Sequence, residues 1–308
     1  MKRNVAHAES ETARSVSDRR RGGSAVAAIR PYAAVDAEQV LALVNADRLP
    51  GQPVATPKML AEPLAGRSPV DAGWWQQLAE LRTEVLTGPG ETVAGVVSYA
   101  RRPRDGAGLI LWLHGREDAR VVSDLIVHVM RQLDDCAAVE AFSFATALGL
   151  GLEALPVRHR AVTDQALRDA GFAGHDLWRY MHRPLPAPEL PHASVVEVTT
   201  PQPRQRQLTV RDRGQVAAEA TIGTPVAGIG VLWWISVEPA HQGAGLGAGL
   251  LGTALDMLAG LGAAEVILYV DDDDPDPHSE RSRAAANRLY DRAGFTQVDR
   301  LHSYRLPR

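Results

Sequence analysis

Two neighbouring hydrophobic patterns stand out along the chain. Val231 to Val237 is a short run of β-branched, aromatic and aliphatic residues, which reads as a buried strand. Beyond a glycine-rich stretch, Leu246, Leu250, Leu251, Ala254, Leu255 and Leu258 recur at helical spacing, the stripe of a helix packed on a sheet. A strand over 265–270, a helix over 283–292 and a last strand near 296–304 follow. Upstream, 207–210 and 215–223 read as a hairpin.

The first half shows a related order. Ala37 to Val44 has helical spacing, followed by Pro-rich sequence to about Pro69. A hairpin is expected over 83–99 around the turn at Gly88 to Gly90, then a strand over 109–113, a helix over 121–133 and a strand over 139–145. Pro184 to Pro191 contains four prolines and reads as a linker. Ordered structure is expected from about Ala28.

Sliding the chain along itself strengthens the likeness between halves. Val93 and Ala94 match Val216 and Ala217; Ala170 to Phe172 match Ala293 to Phe295; Asp176 matches Asp299 and Pro184 matches Pro307, all at an offset of 123. The expected architecture is of the α/β (α+β) class, with two tandem units, each a mixed, mostly antiparallel sheet flanked by helices. The divisions are a disordered tail at 1–27 and units at 28–187 and 193–308.

Composition adds limits. The 308 residues are 45% hydrophobic and 23% charged, ordinary for a globular protein, and the apolar runs are too short to span a membrane. Cys136 is the single cysteine, which excludes an intrachain disulfide, and the opening residues lack the apolar core of a secretory signal; a cytoplasmic location is expected. Net charge is −4, yet residues 1–30 carry seven basic and three acidic side chains, leaving −8 on the remainder. Arg19 to Arg21 read as part of a solvated tail rather than a nucleic-acid arm.

Candidate chemistry centres on Gln242 to Gly247. Between a strand and a helix, glycines let the backbone turn tightly, and helix-terminal N–H groups attract an anion. The loop lacks the Gly-Lys-Ser/Thr of a nucleotide-hydrolysing phosphate loop and the Gly-x-Gly-x-x-Gly of a dinucleotide site. Two blocks carry a more specific likeness: Val237 to Gly247, with Val-x-Pro leading into Gln-Gly-Ala-Gly-Leu-Gly, and Ala286 to Phe295, with Leu289, Tyr290, Gly294 and Phe295 at its anchor positions. In these the second half resembles the GNAT superfamily of acyl-CoA-dependent N-acyltransferases. The first half is reached only through the repeat.

The resemblance implies two GNAT-like units and an acetyl-CoA co-substrate, without a metal. Its pyrophosphate would lie on Gln242, Gly243, Ala244, Gly245, Leu246, Gly247 and Ala248, and its pantetheine arm along Ile235, Ser236 and Val237. Tyr290 matches the tyrosine that protonates the departing thiolate, an alternative to a purely packing role. A primary amine of a small molecule would attack the thioester directly. Protein acetylation and a non-catalytic CoA-binding sensor or scaffold are the alternatives; neither a nucleic-acid nor a membrane partner is expected.

The tandem layout also resembles that of the mycothiol synthase family. Relatives place a glutamate near the beginning of the fourth strand, where this chain has Gly230, Val231 and Leu232. Glu219 and Glu238 are the nearby candidate bases. Asp271 to Asp274, Asp276 and His278 form an acidic stretch that attracts a cationic acceptor or is simply solvated, and is too little for a metal site. Arg283 stands where the family often has asparagine. In the first half, Glu117 and Asp118 occupy the turn equivalent to the glycine loop and Leu167 the place of Tyr290, which marks a degenerate copy that shapes the acceptor cleft.

Overall fold

The structure, a computed structural model, describes residues 28–69, 71–271 and 283–308. The first half begins with β1 (Ala28–Pro31), α1 (Ala37–Ala46), α2 (Pro57–Leu64) and α3 (Ala72–Trp75). A meander follows of β2 (Ala79–Thr87), β3 (Val93–Arg102) and β4 (Ala107–His114), then α4 (Ala119–Gln132) and β5 (Ala138–Ala141). A two-residue β6 (Leu155–Pro156), α5 (Ala161–Asp169) and β7 (Ala173–Pro184) complete it. The second half comprises β8 (Glu197–Thr199), β9 (Gln205–Asp212), β10 (Gln215–Gly223), β11 (Ile229–Val237), α6 (Leu246–Gly260), β12 (Glu265–Asp271), α7 (Ala284–Arg292) and β13 (Thr296–Pro307).

Two differences from the sequence reading have local causes. The Pro-rich stretch contains α2, because Pro57 stands in its first turn, where no N–H is needed, and Thr56 Oγ1 accepts a hydrogen bond from Met59 N at 3.3 Å. Strand β5 stops at Ala141 rather than 145: Phe142 has φ of 57°, which turns the chain out of the sheet. The offset of 123 maps α5 onto α7 and β7 onto β13 end for end.

These strands form one sheet in the order β1-β2-β3-β4-β5-β13-β7-β12-β11-β10-β9-β8, with β6 pairing β13. The closing strands are exchanged. Strand β13, from the second half, pairs with β5 of the first through Tyr304↔Ala141 to Pro307↔Ala138. Reciprocally, β7 pairs with β12 from Pro184↔Glu265 to Trp178↔Asp271, and β7 and β13 lie antiparallel at the centre. Most neighbours are antiparallel; β4–β5 and β11–β12 are parallel.

Helix α6 covers the second half's sheet with Leu250, Leu251, Ala254, Leu255 and Leu258, all buried against Leu208, Leu232 and Leu268. Its outer side carries the connection between halves. Ala193 N donates to Gly249 O at 3.0 Å and to Thr253 Oγ1 at 3.1 Å. A β-carbon on Gly252 would lie 2.1 Å from Pro191 O, so the small residues of α6 admit this strap. Among the described residues, no helix is long and apolar enough to cross a membrane.

The halves differ in one respect that bears on the site. Residues 32–78 between β1 and β2 hold α1, α2 and α3, whereas β8 and β9 are joined by 200–204 without a helix. The second half therefore lacks its own cover over one side of its sheet.

Candidate active site

The cleft of the second half arises where two parallel strands part. Pairing of β11 with β12 runs from Ile229↔Glu265 to Leu232↔Leu268 and then ceases. On its other side β11 remains bonded to β10 through Ile235↔Ala220, Ser236↔Glu219 and Val237↔Ala218. The shift of register at Ile222 leaves Trp233 as the extra residue of a bulge on β11, which increases local twist at this point. A cleft of about 1030 Å³ opens there, with Ile235, Ser236 and Val237 on its wall.

The glycine loop closes one end of the cleft. Gly243 and Gly245 have φ of 81° and 79°, a region that glycine enters without a Cβ penalty. Gly245 is the N-cap of α6 and supplies no side-chain cap. Among the described residues, none of the amides from Gly243 to Ala248 has an acceptor. Unfilled helix-terminal donors of this kind bind anions. Gln242 works within the loop: its Nε2 donates to Val237 O at 3.1 Å and clips the loop to the end of β11. Gln242, Gly243, Gly245, Leu246, Gly247 and Ala248 line the cleft; Ala244 does not.

Tyr290 lines the same cleft from α7, 6% exposed. Its ring meets Phe295 edge-on, with centroids 5.8 Å apart. Burial pushes its hydroxyl up to about 12, so the phenol keeps its proton at neutral pH. No described residue bonds to that hydroxyl. Helix α7 is held from the first half: Arg179 of β7 donates to Asn287 Oδ1 at 2.5 Å and to Gln297 Oε1 at 2.9 Å, and pairs with Asp291 at 3.1 Å.

The side of the cleft left bare by the missing helices is covered by the first half, through Asp71, Ala145, Gly151, Glu153 and Trp178. Asp71 Oδ2 accepts from Ala145 N at 2.7 Å, tying the start of α3 to the loop after β5. Residues 149–154 are pinned from the opposite half: Tyr269 Oη donates to Leu150 O at 3.3 Å, and Trp233 packs over Gly151. Gln52 Nε2 donates to the hydroxyls of Tyr180 and Tyr269 at 2.9 and 3.3 Å.

Other candidates from the sequence lie elsewhere. Glu219 accepts from Gln207 Nε2 at 3.1 Å, Glu238 is exposed, and neither lines the cleft. Arg283 lines it and pairs with Asp271 at 3.1 Å. The tail at 1–27, Asp272 to Asp274, Asp276 and His278 lie outside the described residues.

The equivalent region of the first half is filled by its own side chains. Asp118 Oδ1 accepts from Arg120 N and Val121 N, both at 3.0 Å, and so occupies the end of α4. Glu117 accepts from Val162 N, Thr163 N and Arg160 Nε, while Arg160 also lies 3.4 Å from Asp47, itself 2.7 Å from His114. Burial lowers the affinity of the His114 ring for a proton. The β4–β5 gap holds buried Phe142 and Phe144, and the space left is about 90 Å³. Leu167, at the position of Tyr290, is fully buried.

The profile of the acetyltransferase (GNAT) domain family matches residues 204–297. Residues 204–297 form a GNAT acetyltransferase domain. Similar curated proteins include a mycothiol acetyltransferase of Streptosporangium roseum, 42% identical over 71 residues, which are 23% of this chain and 18% of that one. Another is the mycothiol acetyltransferase of Beutenbergia cavernae, 36% identical over 94 residues, 30% of this chain and 29% of that one. The chain thus matches less than a third of the length of these relatives.

Two solved structures extend the likeness in fold beyond the GNAT domain. A GCN5-related N-acetyltransferase from Sphaerobacter thermophilus superposes with a TM-score of 0.57 at 15% identity, covering 91% of this chain and 95% of its own. A tandem GNAT protein from the clavulanic acid biosynthesis pathway gives 0.57 at 17%, covering 91% and 98%. The fold is therefore that of a tandem GNAT protein, a large mixed sheet flanked by helices.

Proposed function

We propose that the chain is an N-acetyltransferase that moves an acetyl group from acetyl-CoA to a primary amine of a small molecule by direct attack. The observation that carries this reading is the meeting, in one cleft, of unpaired loop amides, the free edge of β11 and the Tyr290 hydroxyl. GNAT domains use acetyl-CoA, and this cleft suits it. The amides of Gly243 to Ala248 suit a pyrophosphate, and the edge of β11 that β12 leaves open beside Ile235 to Val237 suits strand-like bonding to an amide-bearing arm.

Holding amine and thioester together in a walled cleft supplies much of the rate through orientation. Tyr290 retains its proton at neutral pH and donates it to the departing thiolate. The first-half wall favours a small acceptor, since it roofs the site where a protein chain would need an open groove.

The test is thiol release from acetyl-CoA with a panel of small amines, comparing wild type with Tyr290→Phe. The expected result is amine-dependent release, lowered about 10²- to 10⁴-fold in kcat by the substitution, with acetyl-CoA affinity retained. CoA binding without release by any amine overturns the reading in favour of a non-catalytic binder. Release with peptides alone replaces it with protein acetylation.

A further inference from the structure

We propose that the proton of the acceptor's ammonium group is taken by Glu153, so that the general base of the second half's cleft comes from the first half. This rests on the acetyltransfer reading above.

Three described carboxylates line the cleft: Asp71, Glu153 and Asp271. Asp271 is paired with Arg283, and Asp71 accepts a main-chain hydrogen bond from Ala145. The Glu153 carboxylate has no hydrogen-bond or ion-pair partner among the described residues. A half-buried carboxylate left unbonded is costly, and this one belongs to a residue that lines the cavity.

The backbone that presents it is also costly. Leu150 and Ala154 have φ of 46° and 77°, a region disfavoured for residues with a Cβ, and they bracket Glu153 within five residues of chain. The other half holds this conformation, through the Tyr269 bond to Leu150 O and through Trp233 packed on Gly151. Strain maintained from across the junction, around one unpartnered acid, is the pattern of a functional residue.

Electrostatics agree with the geometry. Burial, with the charge of Asp71 added, raises the Glu153 carboxyl to about 7, where a general base is half-ionised at neutral pH. The other titratable groups on the cleft are accounted for. Tyr269 and Tyr290 stay protonated at neutral pH because burial raises them, and His241 lies 3.2 Å from Asp212. Arg283, Arg288 and Arg292 come from around α7. The missing helices between β8 and β9 explain why the base is borrowed: the bare side of the cleft belongs to the first half.

The step balances as follows. Glu153 takes one proton from R–NH₃⁺, and the freed nitrogen lone pair attacks the thioester carbonyl carbon. As the C–S bond breaks, the sulfur takes the Tyr290 proton; the second nitrogen proton returns to the phenolate. The products are the amide, the free thiol and one proton on Glu153, later lost to water.

The experiment measures kcat/KM against pH for wild type, Glu153→Gln, Glu153→Asp and Asp71→Asn, using an amine that wild type acetylates, with acetyl-CoA binding followed separately. In wild type an acid limb is expected near pH 7. Glu153→Gln should lose about 10²- to 10³-fold in kcat/KM and lose that limb, while binding acetyl-CoA within about twofold of wild type. Glu153→Asp should recover part of the activity. Asp71→Asn removes a charge that raises Glu153 and should move the limb to lower pH.

Full activity and an unchanged limb in Glu153→Gln overturn this inference alone. If that variant does not fold, the Asp71→Asn profile decides, an unmoved limb overturning the assignment. No thiol release by wild type with any amine overturns the acetyltransfer reading and this inference with it.

Discussion

Trp233 fills the space that a side chain on Gly151 would need: a β-carbon there would lie 2.5 Å from Trp233 Cη2. Gly151 belongs to the first half and Trp233 to the bulge in β11, so the contact joins the wall of the cleft to its floor. Gly151 also has φ of 78°, which compounds the steric demand. Gly151→Ala should therefore displace the Leu150–Ala154 loop and cost about 1–3 kcal/mol. Chemical denaturation measures the loss; amine-dependent turnover should fall more than acetyl-CoA affinity, because the displaced loop carries Glu153 and none of the residues proposed to hold the cofactor.

The phosphate end behaves differently. A β-carbon at Gly245 meets nothing within 4 Å, so its cost is the backbone strain of φ 79° rather than a clash. Gly245→Val should lower stability by about 1–2 kcal/mol and raise the Kd for acetyl-CoA at least tenfold, as the branched side chain hinders close approach to the loop amides. Isothermal titration with acetyl-CoA and a melting curve separate the two effects.

Glu153 gives a pH-dependent stability with a definite sign. Its carboxyl is raised from an ordinary value of 4.5 to about 7 by burial first and Asp71 second, so the native protein holds a proton that the unfolded chain releases earlier. Stability from this group is complete below pH 4.5 and is lost as pH rises to about 7. Glu153→Gln should be more stable than wild type above pH 7 by about 1–3 kcal/mol, allowing for screening from the open side of the cleft, with the difference vanishing near pH 4. Urea unfolding at pH 4, 6 and 8 would reveal the trend; a pH-independent difference would contradict it.

Arg160 is 3% exposed and bridges Asp47 and Glu117 where the first half lacks an anion site. Arg160→Met removes the cation shared by two carboxylates, leaving Asp47 with His114 and Glu117 with the amides of Val162 and Thr163. A loss of about 3–5 kcal/mol is expected, measured by denaturant unfolding, with acetyl-CoA affinity changed less than threefold because the second half's loop is untouched.

The elements around the candidate site were largely legible in the sequence. The apolar run before the glycines is β11, the stripe after them is α6, and the offset of 123 maps α5 and β7 onto α7 and β13. These are local signals, set by side-chain period and turn residues. Other features depend on non-local arrangement. Alternation along β13 does not say that its neighbour is β5 of the opposite half. Nothing local to Gly249 and Gly252 says that the space beside them admits Ala193 and Pro191.

The wall of the cleft was hidden for the same reason. Glu153 sits in a segment without hydrophobic period or motif, and its placement depends on Tyr269 and Trp233, both far away in sequence. The one local sign was an absence, the five residues 200–204 where the first half has three helices.

The exchange of closing strands sets an order of events during synthesis. Strand β5 cannot acquire its β13 neighbour until residues up to 307 have been made, so the first half waits, one edge bare, for the ribosome to finish the second. A ribosome stalled after β12 should leave β7 able to dock while β5 stays open, a nascent species that a limiting protease would distinguish from the released chain.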